Sequence, residues 1–143
     1  MEDNILRFWL DKMVDRERGG FYGRMTSDGT VDKDAPKGSI LTGRILWTMS
    51  AAYRLTHNPE YLDAATHAKR FLLDALYDTE YGGVYWSVEA DGTPRDTKKQ
   101  FYALGFAIYG LSEYVRATGD QEALEYAIRL YDAIETHSRD KRY

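Results

Sequence analysis

The amino-acid sequence predicts an all-α fold of tandem helical hairpins, with short β-hairpins in the loops that join them. Three observations carry this reading. A repeat of 62 to 63 residues runs along the chain, two kinds of helix alternate within it, and each unit opens on a glycine pair and an Asp-Gly turn. "VDRERGGFYGRMTSDGT" at 14–30 returns as "YDTEYGGVYWSVEADGT" at 77–93, pairing Asp15 with Asp78, Gly19-Gly20 with Gly82-Gly83 and Asp28-Gly29 with Asp91-Gly92. Farther on, Gly43 pairs with Gly105, Ser50 with Ser112, Thr56 with Thr118, Leu62 with Leu124 and Ala65 with Ala127. Residues 1–143 are thus one helical-repeat unit with repeats at about 14–76 and 77–138.

In each repeat the glycine pair opens a short aromatic strand, Phe21-Tyr22 or Val84-Tyr85-Trp86. The Asp-Gly turn then folds the chain back as a small hairpin. A helix at about 38–56 follows in the first repeat and one at about 98–117 in the second, both apolar nearly all round and therefore expected to be covered on most sides. The next helices, about 59–76 and 120–137, carry a single apolar stripe such as Leu62, Ala65, Ala68 or His67, Leu72 and Leu76, with Asp63, Lys69, Arg70 and Asp74 outside it. They are expected to form an outer layer and to be less buried than the inner pair. A stacked hairpin cannot cover its inner helix without neighbours. Arg139-Asp140 aligns with Tyr77-Asp78 and Tyr143 with Tyr81, so the expectation is a piece of a larger toroid that stops where a third glycine pair would follow.

Composition excludes several function classes. With 43% hydrophobic and 29% charged residues the chain is an ordinary globular protein, neither fibrous nor disordered. Its formal net charge is -4 with the two signs interleaved, which argues against nucleic acid or an anionic membrane surface as partner. Cysteine is absent, no stretch approaches the roughly 20 apolar residues of a membrane span, and the opening "MEDNILRFWLDKMVDRE" lacks the apolar core of a signal peptide. The chain is read as cytoplasmic.

"KGSILTGRILWTMSAAYR" at 37–54 places Arg44, a permanent cation, on a mostly apolar helix face with Ile40 and Leu41 a turn before it and Trp47 and Thr48 a turn after. Read from the residues alone, such an arginine has two roles open to it: pairing with a carboxylate for structural reasons, which the residues favour, or contacting a substrate. Tyr102 and Phe106 lie one turn apart on the second inner helix, and Phe106 is the repeat equivalent of Arg44. Both are candidates for substrate contact or for core packing, as is Trp86 in the loop strand.

"PKGSILTGRILWTMSAAYR", "DTKKQFYALGFAIYGLSEYVRATGD" and the "DxExGGxY" loop openings resemble the amino-terminal third of cellobiose 2-epimerases, within the wider N-acylglucosamine 2-epimerase family. The resemblance covers essentially the whole chain. It implies an (α/α)6 barrel whose cleft binds a free reducing sugar, a disaccharide or monosaccharide, and inverts C2 without metal or organic cofactor. Arg44 matches that family's substrate-contacting arginine, which reverses the balance between its two readings. The resemblance also places the two proton-shuttling histidines on later helices. Here His57 lies in the "THNPE" turn, His67 on an outer helix and His137 near the end of the last one, so none belongs on an inner face and no metal site is expected.

Three functional classes follow from these residues: part of a sugar 2-epimerase that is inactive by itself, another toroidal carbohydrate-active enzyme such as a glycoside hydrolase, or a non-catalytic helical-repeat binding module. The second needs two inner-face carboxylates about 5 to 10 Å apart, and only Glu113 lies on an inner helix. Exposed inner helices would favour self-association.

Overall fold

The computed structural model describes residues 2–138. Two short π-helical turns, Glu2–Leu6 and Trp9–Met13, precede the first repeat. Helix α1 is Ser39–Thr56, α2 is Pro59–Phe71 and continues into a π-helical turn Leu72–Leu76, α3 is Phe101–Thr118 and α4 is Gln121–Ser138. Local chemistry sets these boundaries. His57 and Gly119, repeat equivalents, both turn left-handed and donate their N–H to the carbonyls of Tyr53 and Val115, each at 2.7 Å. One residue on, the side chains of Asn58 and Asp120 accept the N–H of Glu60 at 3.0 Å and Ala123 at 2.7 Å, capping α2 and α4.

The inner helices α1 and α3 form the most extensive pairing of elements, each backed by its own outer helix. Glycine makes the close approach possible. A Cβ on Gly43 would fall 2.4 Å from the carbonyl oxygen of Phe106, and one on Gly110 would fall 2.6 Å from that of Gly43. Leu46, Met49, Ala103, Ala107 and Leu111 close the seam, all essentially inaccessible to solvent.

The difference in burial between layers holds only in the second hairpin. There α4 buries just Ala123, Ala127 and Leu130, against seven positions on α3. In the first hairpin the outer helix is as buried as the inner one, its Tyr61, Ala64, Ala65, Ala68, Phe71 and Leu72 all enclosed. The amino-terminal turns and the glycine loops cover its far side. Arg7 makes a forked pair with Glu60, and the ring of Phe71 lies directly under Gly20.

Both hairpins form, a few residues later than expected. Strand β1, Arg24–Met25, pairs antiparallel with β2, Val31–Asp32; β3, Lys37–Gly38, β4, Ser87–Val88, and β5, Pro94–Asp96, make an antiparallel sheet in that order. The residues expected to start the strands instead bridge back to the preceding chain, Phe21 to Val14 and Val84 to Tyr77. Strand β3 also zips the first repeat's loop to that of the second. The expected opening of a third repeat at Arg139–Tyr143 lies outside the described residues.

Candidate functional site

Each glycine loop is held by a carboxylate and a lysine at equivalent places. Asp15 Oδ1 accepts the N–H of Glu17 and Arg18 at 3.0 Å, while its Oδ2 takes a 2.7 Å hydrogen bond from Lys37 Nζ, which also donates to the Gly19 carbonyl at 2.7 Å. Both side chains are 1% exposed. Burial pushes the Asp15 carboxyl up, but the Lys37 ammonium and the two N–H donors outweigh it and hold it below its ordinary value. In the second repeat Asp78 accepts from Glu80 and Tyr81 N–H and pairs with Lys99, which holds its carboxyl below the usual range. Lys37 and Lys99 stand 62 residues apart, so the repeat itself carried the signal for this pair. His67 adds a further tie. Its Nε2 lies 3.0 Å from the Asp15 carbonyl and 2.9 Å from that of Gly20, which requires the proton on Nε2.

These loops anchor the start of α1, and the next turns of that helix carry Arg44. Its side chain is exposed at the α1–α3 seam with the guanidinium 6.0 Å over the Phe106 ring. Among the described residues no carboxylate pairs with it. Arg44, Trp47, Thr48, Tyr102, Phe106 and Tyr109 together line an open hollow of ≈ 520 Å3. Trp47 and Tyr109 stack face to face, centroids 5.0 Å apart and planes within 8°, while Phe106 meets Tyr102 edge-on at 5.0 Å and Tyr109 at 6.0 Å.

The structure therefore brings Arg44, Tyr102 and Phe106 together and leaves Trp86 apart. Trp86 is half-buried against the core, and its carbonyl accepts the N–H of Ser39 at 3.2 Å. Trp47 and Tyr109, not singled out as site residues from the sequence, complete the hollow. They too are repeat equivalents, 62 residues apart, as Arg44 and Phe106 are.

None of the three histidines lines the hollow. His57 caps α1, His67 ties the first glycine loop, and His137 Nδ1 lies 2.8 Å from the Ala133 carbonyl on α4. Glu113 does not supply a free acid. It is 2% exposed and held between Arg54 and Arg116, each at 2.8 Å. The described residues thus offer a cation, hydroxyls and aromatic surface at the hollow but no acid–base pair. Among them no helix is long and apolar enough to cross a membrane.

This arrangement coincides with a match to known proteins. A family model described as N-acylglucosamine 2-epimerase (GlcNAc 2-epimerase) matches residues 20–143. The chain is 60% identical over 136 residues to a cellobiose 2-epimerase of Bacteroides fragilis, covering 95% of this chain and 35% of that protein. Among solved structures it matches cellobiose 2-epimerases from Bacillus thermoamylovorans (TM-score 0.95, 48% identity, 98% of this chain and 36% of that one) and Spirochaeta thermophila (TM-score 0.93, 47%, 98% and 34%). The chain therefore spans about 35% of the length of the curated relatives it matches. Its two hairpins have the architecture of the corresponding part of an (α/α)6 barrel.

Proposed function

Because the chain belongs to the N-acylglucosamine 2-epimerase family, we propose that it supplies the oxyanion-stabilising half of a site that epimerises C2 of a reducing sugar, with cellobiose as the first candidate substrate. Removing the C2 proton beside the C1 carbonyl of the open-chain sugar leaves an enediolate-like species. Its negative oxygen needs donors already in place. Arg44 presents a permanently charged planar fork to the hollow, and this carries the reading: a guanidinium that no described carboxylate neutralises, on an aromatic wall suited to sugar C–H surfaces. Tyr102, 63% exposed, is placed to hydrogen-bond a hydroxyl. The proton-shuttling groups would come from outside the described residues, in keeping with three histidines that all lie off the hollow.

The test is a chimera in which residues 1–143 replace the matching portion of the Bacteroides fragilis protein, incubated with cellobiose in heavy water. Arg44→Ala is expected to slow deuterium entry at C2 by about 100-fold or more, the range for losing one donor to a developing oxyanion. Arg44→Lys is expected to restore only part of it, because a point charge lacks the fork. Full activity in the alanine variant would overturn the assignment. The 143-residue chain alone is expected to catalyse no C2 exchange.

A further inference from the structure

Building on the reading of Arg44 above, we propose that Phe106 is a positioning residue for the Arg44 guanidinium, kept in place by the Trp47–Tyr109 stack, and that it acts through the arginine rather than on the sugar. An unpaired arginine side chain has about 2 kcal/mol of rotamer entropy to lose before its donors point anywhere. A carboxylate would fix it, but at the cost of occupying its N–H groups and cancelling its charge. An aromatic ring engages the face of the guanidinium and leaves the in-plane donors free for the hollow. Phe106 is the ring over which Arg44 lies, at 6.0 Å.

That ring has little freedom of its own. Tyr102 and Tyr109 box it edge-on, and Tyr109 is locked flat against Trp47. Arg44 and Trp47 are three apart on α1, as Phe106 and Tyr109 are on α3, so the four side chains close a ring across the seam. Gly43 and Gly110 draw the two backbones together at that level, which removes slack from the ring.

The experiment uses the same chimera together with NMR of the Arg44 side chain in the intact chain. Phe106→Leu is expected to lower kcat about tenfold, the upper range of a partly desolvated cation–π contact, with KM changed less than about twofold. In an Arg44→Ala background the same substitution is expected to add almost nothing. Phe106→Tyr is expected to restore kcat, and the upfield ring-current shift of the Arg44 Hε resonance is expected to vanish in Phe106→Leu but persist in Phe106→Tyr. If Phe106→Leu unfolds, Tyr109→Leu loosens the brace while keeping the ring and is expected to reduce kcat in the same Arg44-dependent way. A rise in KM at constant kcat, independent losses in the double variant, or an Arg44 resonance indifferent to Phe106 would overturn the proposal. Full activity in Arg44→Ala alone would instead sink the epimerase role of Arg44, with the resonance still reporting whether Phe106 holds it.

Discussion

His57 holds a left-handed conformation, φ 56°, where its repeat equivalent is Gly119. A side chain there strains against its own backbone, and glycine does not. His57→Gly is expected to stabilise the chain by about 0.5–1 kcal/mol in urea unfolding, the strain relieved less the added freedom of the unfolded glycine. The Asp15–Lys37 pair points the other way. Lys37→Met strands a buried carboxylate and is expected to cost about 3–5 kcal/mol. Adding Asp15→Asn should recover most of that loss, since an amide oxygen can still accept the N–H groups of Glu17 and Arg18. Because the Asp15 carboxyl is held below its unfolded value, its stabilisation is complete above a pH of about 4 and is lost as the pH falls through the folded value. Urea midpoints taken from pH 6 downward are expected to fall less steeply with acid in the Asp15→Asn, Lys37→Met double variant.

Between elements, the deciding feature is how closely α1 and α3 approach. Gly43→Ala would drive a methyl into the Phe106 carbonyl and is expected to destabilise by about 1–3 kcal/mol or more. Gly105, its equivalent on α3, faces open space, with nothing within 4 Å of where a methyl would stand, so Gly105→Ala is expected to stabilise by about 0.5–1 kcal/mol. The opposite signs, read from thermal melts of the two variants, check the packing. Much at this level is legible in the sequence: "THNPE" and "TGDQE" mark the helix breaks, and the offset of 62 pairs Gly43 with Gly105. The start of α3 is not. Lys98–Gln100 reads as helix by composition, yet Gln100 is extended, and Lys99 reaches back to Asp78, a long-range demand that local periodicity does not record. The same holds for Trp47 and Tyr109, whose stacking depends on two helices meeting at a particular height. Lys37 and Lys99 are visible once the repeat is read for charge as well as for apolar pattern.

Over the described residues, most of the large exposed apolar side chains belong to the second repeat. Tyr102 and Tyr109 on α3 and Leu124, Ile128 and Tyr131 on α4 stand open, Ile128 at 50% and Tyr131 at 54%. The chain is expected to self-associate at micromolar concentration through these helices, with sedimentation shifting toward monomer on Ile128→Lys. A concentration-independent monomer would count against it. On the opposite flank Ile5, still 56% exposed, and Trp9 lie with Leu41, Arg44, Ile45 and Met49 of α1 around a shared hollow. The amino-terminal turns thus cover part of α1 on that side. A designer wishing to lengthen the array could append a copy of residues 77–138, whose inner helix would meet the open side of α3 as α3 meets α1. At the other side, the amino-terminal turns would have to move off α1 before a further inner helix could pack there.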